Sequence, residues 1–352
     1  MKRAIHWVDK GLVPSPLVRF GIRRLLRRRL ADEALRHSPD PERTKSEWLE
    51  QMRRSPVAIE TRAANEQHYE LPPAFFQEVL GPRLKYSSCL YPGGNETLAQ
   101  AEEAMLALTC ERARLADGQR VLELGCGWGS LSLWMAERYP SSRILAVSNS
   151  APQRRFIEAR AAERGLSNLT VITRDMNEFD AAEHVADAGF DRVVSVEMFE
   201  HMRNWEHLLG RVSGWLAPDA RVFIHVFAHR DFDYPFDVVD ESDWMSRYFF
   251  TGGMMPSPDL MHRLDAPLAV EESWNVDGKH YACTAEHWLA NLDARRSRVM
   301  PALRETYGDA AEAWFQRWRV FFLSCAELFG YRDGSEWFVA HYLLRRRAEA
   351  PE

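Results

Sequence analysis

The chain has 352 residues, 46% of them apolar and 27% charged, with a formal charge of −6, enough for one full hydrophobic core with attachments. No apolar run reaches the roughly 18 residues of a membrane span, and the start lacks the continuous apolar segment of a secretory signal. Five scattered cysteines, Cys89, Cys110, Cys126, Cys283 and Cys325, form no C-x-x-C pair, so no disulfide framework, no zinc site and a cytoplasmic location are expected.

Residues 1–30 carry nine basic side chains against Asp9 alone, a surplus of eight charges that leaves −14 for the remainder. Beside those arginines, Val18, Ile22, Leu25, Leu26 and Leu30 recur at helical spacing. Two readings stand: a helix over residues 15–30 lying on an anionic membrane, with the protein peripheral there, or one docked on the acidic body of its own chain. A targeting presequence is a third, weaker option. The acidic remainder and the lack of a recognition module argue against nucleic-acid binding. Residues 1–66 read as a basic, helical extension broken by Pro14, Pro16, Pro39, Pro41 and Pro56, and 67–352 as the main domain.

From about residue 67 to 228, strand and helix patterns alternate. Strands are expected at 119–125, 143–148, 168–173, 190–197 and 220–227, with helices such as 151–165 between them: the rhythm of a parallel, doubly wound α/β sheet. From 229 to 330 an aromatic-rich, helical insertion follows, and Phe232, Tyr234, Phe236, Trp244 and Tyr248 could line an apolar pocket or form simple core. Further strands at 268–276 and 337–345 flank helices over about 284–328. The stretch 311–328, with Trp314, Phe315, Trp318, Phe321 and Phe322, is expected to be a packing element or a homodimer face.

The run Val121-Leu-Glu-Leu-Gly-Cys-Gly-Trp-Gly-Ser130 carries the chemistry. An apolar strand ends in Glu123 and three glycines spaced two apart, then gives way to a helical pattern. Glycine permits a sharp turn and close approach to a ligand, and the helix start offers unpaired N–H groups. The spacing is Glu-x-Gly-x-Gly-x-Gly, without the G-x-G-x-x-G of dinucleotide folds. Downstream, Glu197, Glu200 and His201 put three ionisable groups into five residues just past the fourth strand, where open α/β sheets place their ligands. The bland alternative is a solvated helix start.

The glycine run resembles motif I of S-adenosylmethionine-dependent methyltransferases. His68-Tyr-Glu-Leu-Pro72, Lys85-Tyr-Ser-Ser-Cys-Leu-Tyr91 and Met198-Phe-Glu-His-Met202 resemble segments of the cyclopropane-fatty-acyl-phospholipid synthase superfamily. Arg247-Tyr-Phe-Phe-Thr-Gly-Gly253, Gly278-Lys-His-Tyr-Ala282, Trp288-Leu289, Trp318-Arg319, Cys325-Ala-Glu-Leu-Phe-Gly-Tyr331, Glu336-Trp337 and Ala340-His341 are similar to its coclaurine N-methyltransferase-like branch.

The resemblance implies a class I methyltransferase fold: a Rossmann-like doubly wound sheet of seven strands, the last antiparallel. It implies S-adenosylmethionine as cofactor, held by Tyr86, Ser87, Gly125, Gly127, Gly129, Ser148, Asn149 and Gln153, with Glu123 near the loop. Asp175 and Met176 would face the adenine, Asp175 alternatively being a helix cap. No metal is implied. Glu200 and His201 match the pair that positions and deprotonates an acceptor amine, Glu197 stands beside them, and Glu70 matches a residue thought to contact the amine. The expected activity is methyl transfer to the nitrogen of a small amine. The alternative is methylation or cyclopropanation of an unsaturated acyl chain at a membrane, where a bicarbonate base would meet Glu200, His225 and Tyr281. The cysteine of that bicarbonate site aligns with Ser88, and Cys89 comes one residue later.

Overall fold

Five strands run parallel in the order that right-handed crossovers produce: β1 (Arg120–Leu124), β2 (Arg143–Ser148), β3 (Leu169–Thr173), β4 (Phe190–Val196) and β5 (Leu216–His229). The computed structural model describes residues 2–59, 71–185, 189–238 and 243–347. Two later strands, β6 (Leu268–Val276) and β7 (Trp337–Arg346), complete a seven-stranded sheet ordered β3-β2-β1-β4-β5-β7-β6. β7 is antiparallel to both neighbours, so the expected reversed last strand is present. The strands lie where the sequence places them, except that β5 begins four residues earlier and ends two later than 220–227.

Local sequence explains the pieces that hold the site. Four of the five β1 residues are buried, as a strand covered on both faces requires. The chain then turns through Gly125, Gly127 and Gly129 at φ 78°, 52° and 79°, a left-handed region open to glycine without steric penalty. Gly129 caps α6 (Ser130–Arg138), and a Cβ there would lie 2.6 Å from Ile157. That isoleucine sits in α7 (Ala151–Glu163), which Ser150 caps through the Gln153 N–H.

The stretch read as helices over 284–328 resolves into α9 (Gly278–Ala294), α10 (Arg296–Tyr307) and α11 (Ala311–Phe329). Phe315, Trp318, Phe321 and Phe322 of α11 are buried in an aromatic core with Phe249 and Trp288. This helix therefore serves as a packing element.

The N-terminal extension folds as α1 (Lys2–Asp9), α2 (Ser15–His37) and α3 (Pro41–Arg54). Val18, Ile22, Leu26 and Leu30 pack against the α9–α11 core, while Leu25 stays 38% exposed. Arg19 meets Glu286 at 2.6 Å and Glu327 at 2.9 Å, and Arg23 also pairs with Glu327. The basic helix is thus docked on the acidic body of its own chain, with apolar burial supplying most of the attraction. Beyond α3, Val57 and Ala58 are buried in the same core as β4 and β5. Among the described residues no helix is long and apolar enough to cross a membrane.

Candidate active site

A cleft opens at the carboxyl ends of β1, β2, β3 and β4, where an open α/β sheet collects its ligands. Gly125, Gly127, Ser148, Asn149, Gln153, Met176, Glu197 and His201 line it, joined by Arg174, Met198, Met202, Thr251 and Ala58. A larger cleft of about 520 Å³ lies between α4 (Pro73–Val79), α5 (Leu98–Arg112) and the α6–α7 side of the loop. It contains none of the acids after β4; of these, Glu197 lines the smaller cleft and Glu200 lies behind its lining.

One end of this cleft is lined by the glycine loop, Ser148, Asn149, Gln153 and Met176. At Gly127 an added Cβ would meet nothing within 4 Å, so the backbone there faces open space. Ser148 Oγ donates to Gln153 Oε1 at 2.7 Å, which turns the amide. Gln153 Nε2 is then left buried without a hydrogen-bond partner among the described residues. Met176 supplies an apolar wall. Val57 and Ala58 cover the cleft from the extension: Asn177 exchanges hydrogen bonds of 3.0 and 3.1 Å with the Ala58 backbone, and Val57 C=O accepts from Arg203 N–H at 2.6 Å.

Several expected contributors stand elsewhere. Glu123 is turned beneath the loop, 2% exposed and hydrogen-bonded to the Ser132 hydroxyl. Burial raises its carboxyl to about 8. It braces the loop from behind and does not line the cleft. Asp175 does not line it either; its Oδ1 accepts from Asn177 N–H at 2.8 Å, the local capping role. Gly129 serves helix packing, as above. Tyr86 packs against Phe76 and Trp288, and Ser87 Oγ accepts from Lys85 Nζ at 2.5 Å. Glu70 lies outside the described residues.

Two carboxylates follow β4: Glu197, with its side chain 10% exposed, and the buried Glu200. Glu197 adopts φ 48°, a strained conformation for a side-chain-bearing residue, of a kind that gathers at functional sites. Its Oε1 accepts from Ser88 N–H at 2.9 Å and faces His225 Nε2 at 3.2 Å; its Oε2 accepts from Tyr281 O–H at 2.6 Å. Glu200 is 1% exposed with far less support. Its Oε1 receives one long bond, 3.4 Å, from Phe227 N–H, and Oε2 has no hydrogen-bond partner among the described residues.

Burial raises both carboxyls, that of Glu200 furthest, with Glu197's charge adding to the effect. The donors around Glu197 favour the charge there, while Glu200, pushed further up by burial and by that charge, favours its protonated form. His201, stacked on Phe250 with centroids 5.8 Å apart, is pushed by burial down to about 4 and is neutral at physiological pH.

The chain matches the model of a family described as mycolic acid cyclopropane synthetase over residues 58–336. The chain belongs to the mycolic acid cyclopropane synthetase family. Its relatives include (S)-coclaurine N-methyltransferase of Thalictrum flavum subsp. glaucum, 36% identical over 97% of this chain and 94% of the relative. They also include the cyclopropane-fatty-acyl-phospholipid synthase of Escherichia coli (strain K12), 30% identical over 78% of this chain and 66% of that one. A crystal structure of coclaurine N-methyltransferase bound to N-methylheliamine and SAH superposes with a TM-score of 0.92 at 34% identity. That match covers 98% of this chain and 99% of the other. Within the family this chain is an S-adenosylmethionine-dependent methyltransferase of class I fold, and the open face of Gly127 and the unpartnered Gln153 amide fit that cofactor.

Sequence reasoning does not single out Arg203 or His341, because their partners Val57 and His225 lie far away along the chain. The alternation of β7 does place His341 on one face together with Val339 and Leu343, a signal that a histidine sits in an apolar row.

Proposed function

We propose that the protein moves the methyl group of S-adenosylmethionine to the nitrogen of a small amine, with Glu200 and His201 handling the amine's proton and Glu197 holding the ammonium in place. The carrying observation is the contrast between two acids: Glu197 meets three donors, whereas the buried Glu200 leaves Oε2 without a hydrogen-bond partner among the described residues. When bound, S-adenosylmethionine supplies a methyl carbon already activated by its sulfonium, so the residues' work is on the acceptor.

An ammonium has no lone pair and cannot attack. Held near the charge of Glu197, it stabilises the ionised form of Glu200, whose own proton is released to solvent as the ammonium binds. That carboxylate then takes the ammonium proton, directly or through His201, and returns to the protonated state its surroundings favour. The freed nitrogen lone pair forms the new N–C bond as the C–S bond breaks. Phe227, Phe236 and Phe250 lie edge to face or tilted with centroids 5.5 to 6.2 Å apart; their faces suit an aromatic or cationic acceptor.

The lipid alternative needs an oxyanion between His225 and Tyr281. Both side chains are turned onto the Glu197 carboxylate, which already supplies that negative charge. Likewise, peripheral membrane contact through residues 15–30 would have to use the outer side of α2, where Leu17 and Phe20 are 61% and 60% exposed; its inner side is committed to the body. Incubation with labelled S-adenosylmethionine and a panel of amines tests the assignment. Transfer to amines supports it; transfer solely to unsaturated phospholipid overturns it.

A further inference from the structure

Behind Glu197 a line of buried hydrogen bonds crosses the sheet. His225 on β5 pairs in register with His341 on β7, and His225 Nδ1 lies 2.9 Å from His341 Nε2. His341 Nδ1 in turn lies 2.8 Å from Arg112 Nη1, at the end of α5. Both imidazoles have 0% exposure. Arg112 is held from the side by the Trp274 ring, 4.9 Å from its centroid.

The direction of every bond follows from the far end. A guanidinium has N–H donors and no acceptor, so His341 Nδ1 must be the acceptor. The proton between the rings then has to sit on His341 Nε2, because two N–H groups cannot face each other. His225 Nδ1 therefore accepts, and its own proton is on Nε2, pointing at Glu197. The charges facing this pair are Lys85 and Arg112, both cationic, with Glu197 at the near end. Burial and those cations keep both rings neutral.

We infer that Arg112 and His341 act as positioning residues which lock His225 in the Nε2–H tautomer, and thereby hold the Glu197 carboxylate in the orientation that receives the acceptor amine. The inference rests on the reading that methyl transfer takes place beside Glu197. Without the lock, His225 could carry its proton on Nδ1 and turn a lone pair toward Glu197. The carboxylate would then lose one of its three donors and face a repelling lone pair. Supporting residues of this kind, which orient a directly acting group, change activity by about 10- to 100-fold when removed.

The tautomers can be read without any acceptor. Two-bond nitrogen–proton spectra of the full chain labelled with ¹⁵N-histidine should show His225 and His341 neutral and protonated at Nε2 between pH 6 and 8. An Nδ1–H tautomer or an imidazolium at either ring in that range overturns the inference, whatever the protein methylates. Kinetics with an accepted amine follow. H341L should lower kcat/KM for the amine about 10- to 100-fold with KM for S-adenosylmethionine unchanged, and H341Q, whose amide can still donate to His225, should recover most of it. Full activity in H341L, or an equal loss in H341Q, sinks the positioning role. R112M, which leaves both histidines in place, provides the same test should H341L fail to fold: His225 is expected to show mixed tautomers, and an unchanged spectrum counts against the lock.

Discussion

Replacing Glu200 by Gln isolates the proposed base from its structural surroundings. The two side chains have nearly the same shape, and the wild-type carboxyl receives a single 3.4 Å bond from Phe227 N–H, which the Gln carbonyl can accept. Removing a positioned base costs typically 10²- to 10⁴-fold in rate. For E200Q we therefore expect kcat for a protonated amine to fall by about that range at pH 7. The residual rate should climb about tenfold per pH unit as neutral amine accumulates, until the amine's own titration is complete.

Stability should move the other way. Glu200 titrates higher in the folded chain than in the unfolded one, because burial and the charge of Glu197 oppose its ionisation. The folded state then binds more protons than the unfolded state once pH passes the ordinary carboxylate range, so wild-type stability declines with rising pH by up to about 1.4 kcal/mol per unit for this one group. That decline ends only at the raised folded value. E200Q lacks this slope: it should match wild type near pH 4 and be the more stable protein at pH 8. Thermal melts across pH 4 to 9, beside initial rates with labelled cofactor, measure both arms. A variant with kcat within threefold of wild type at pH 7, or one that melts lower than wild type at pH 8, would refute the reasoning.

Gly127→Ala places a methyl in the open space of the cleft at φ 52°. Calorimetry should find S-adenosylmethionine affinity reduced at least tenfold, with far-ultraviolet dichroism unchanged. Glu123, raised to about 8 by burial, also makes the folded protein lose stability as pH climbs from the ordinary carboxylate range toward 8. E123Q should flatten that slope in melts without changing KM for the cofactor by more than about twofold, since the side chain does not line the cleft. Glu327→Ala strips Arg19 and Arg23 of a largely buried partner. Limited proteolysis should then cut α2 faster, while kcat per folded molecule is retained. Full-length protein mixed with anionic vesicles should stay in the supernatant, because the inner apolar side of α2 is covered; pelleting that depends on Leu17 and Phe20 would assign the outer side to lipid.

Much of this protein could be read along the chain. Strand alternation, the glycine spacing after Glu123 and the cluster Glu197–His201 are properties of short segments, governed by backbone sterics and by a sidedness that repeats every two or about 3.6 residues. These determined the doubly wound sheet, the place of the cleft and the acidic cluster that follows β4. The sequence also posed both fates of the basic helix, though not which was realised.

What only the tertiary structure decided depends on pairs far apart in sequence. That residues 15–30 dock on the body depends on the α9–α11 core and on Glu286 and Glu327, some 300 residues away. Glu123 and Asp175 carry the right chemistry in the right motif, yet side-chain direction commits both to local hydrogen bonds. The split between Glu197 and Glu200 follows from Ser88, His225 and Tyr281 converging on one carboxylate and not on the other. Arg112 and His341 became visible only when β5 and β7 were laid side by side. Local sequence sets which conformations a segment can adopt, but the charge state of a buried group is set by the neighbours that replace its water, and folding alone brings those neighbours together.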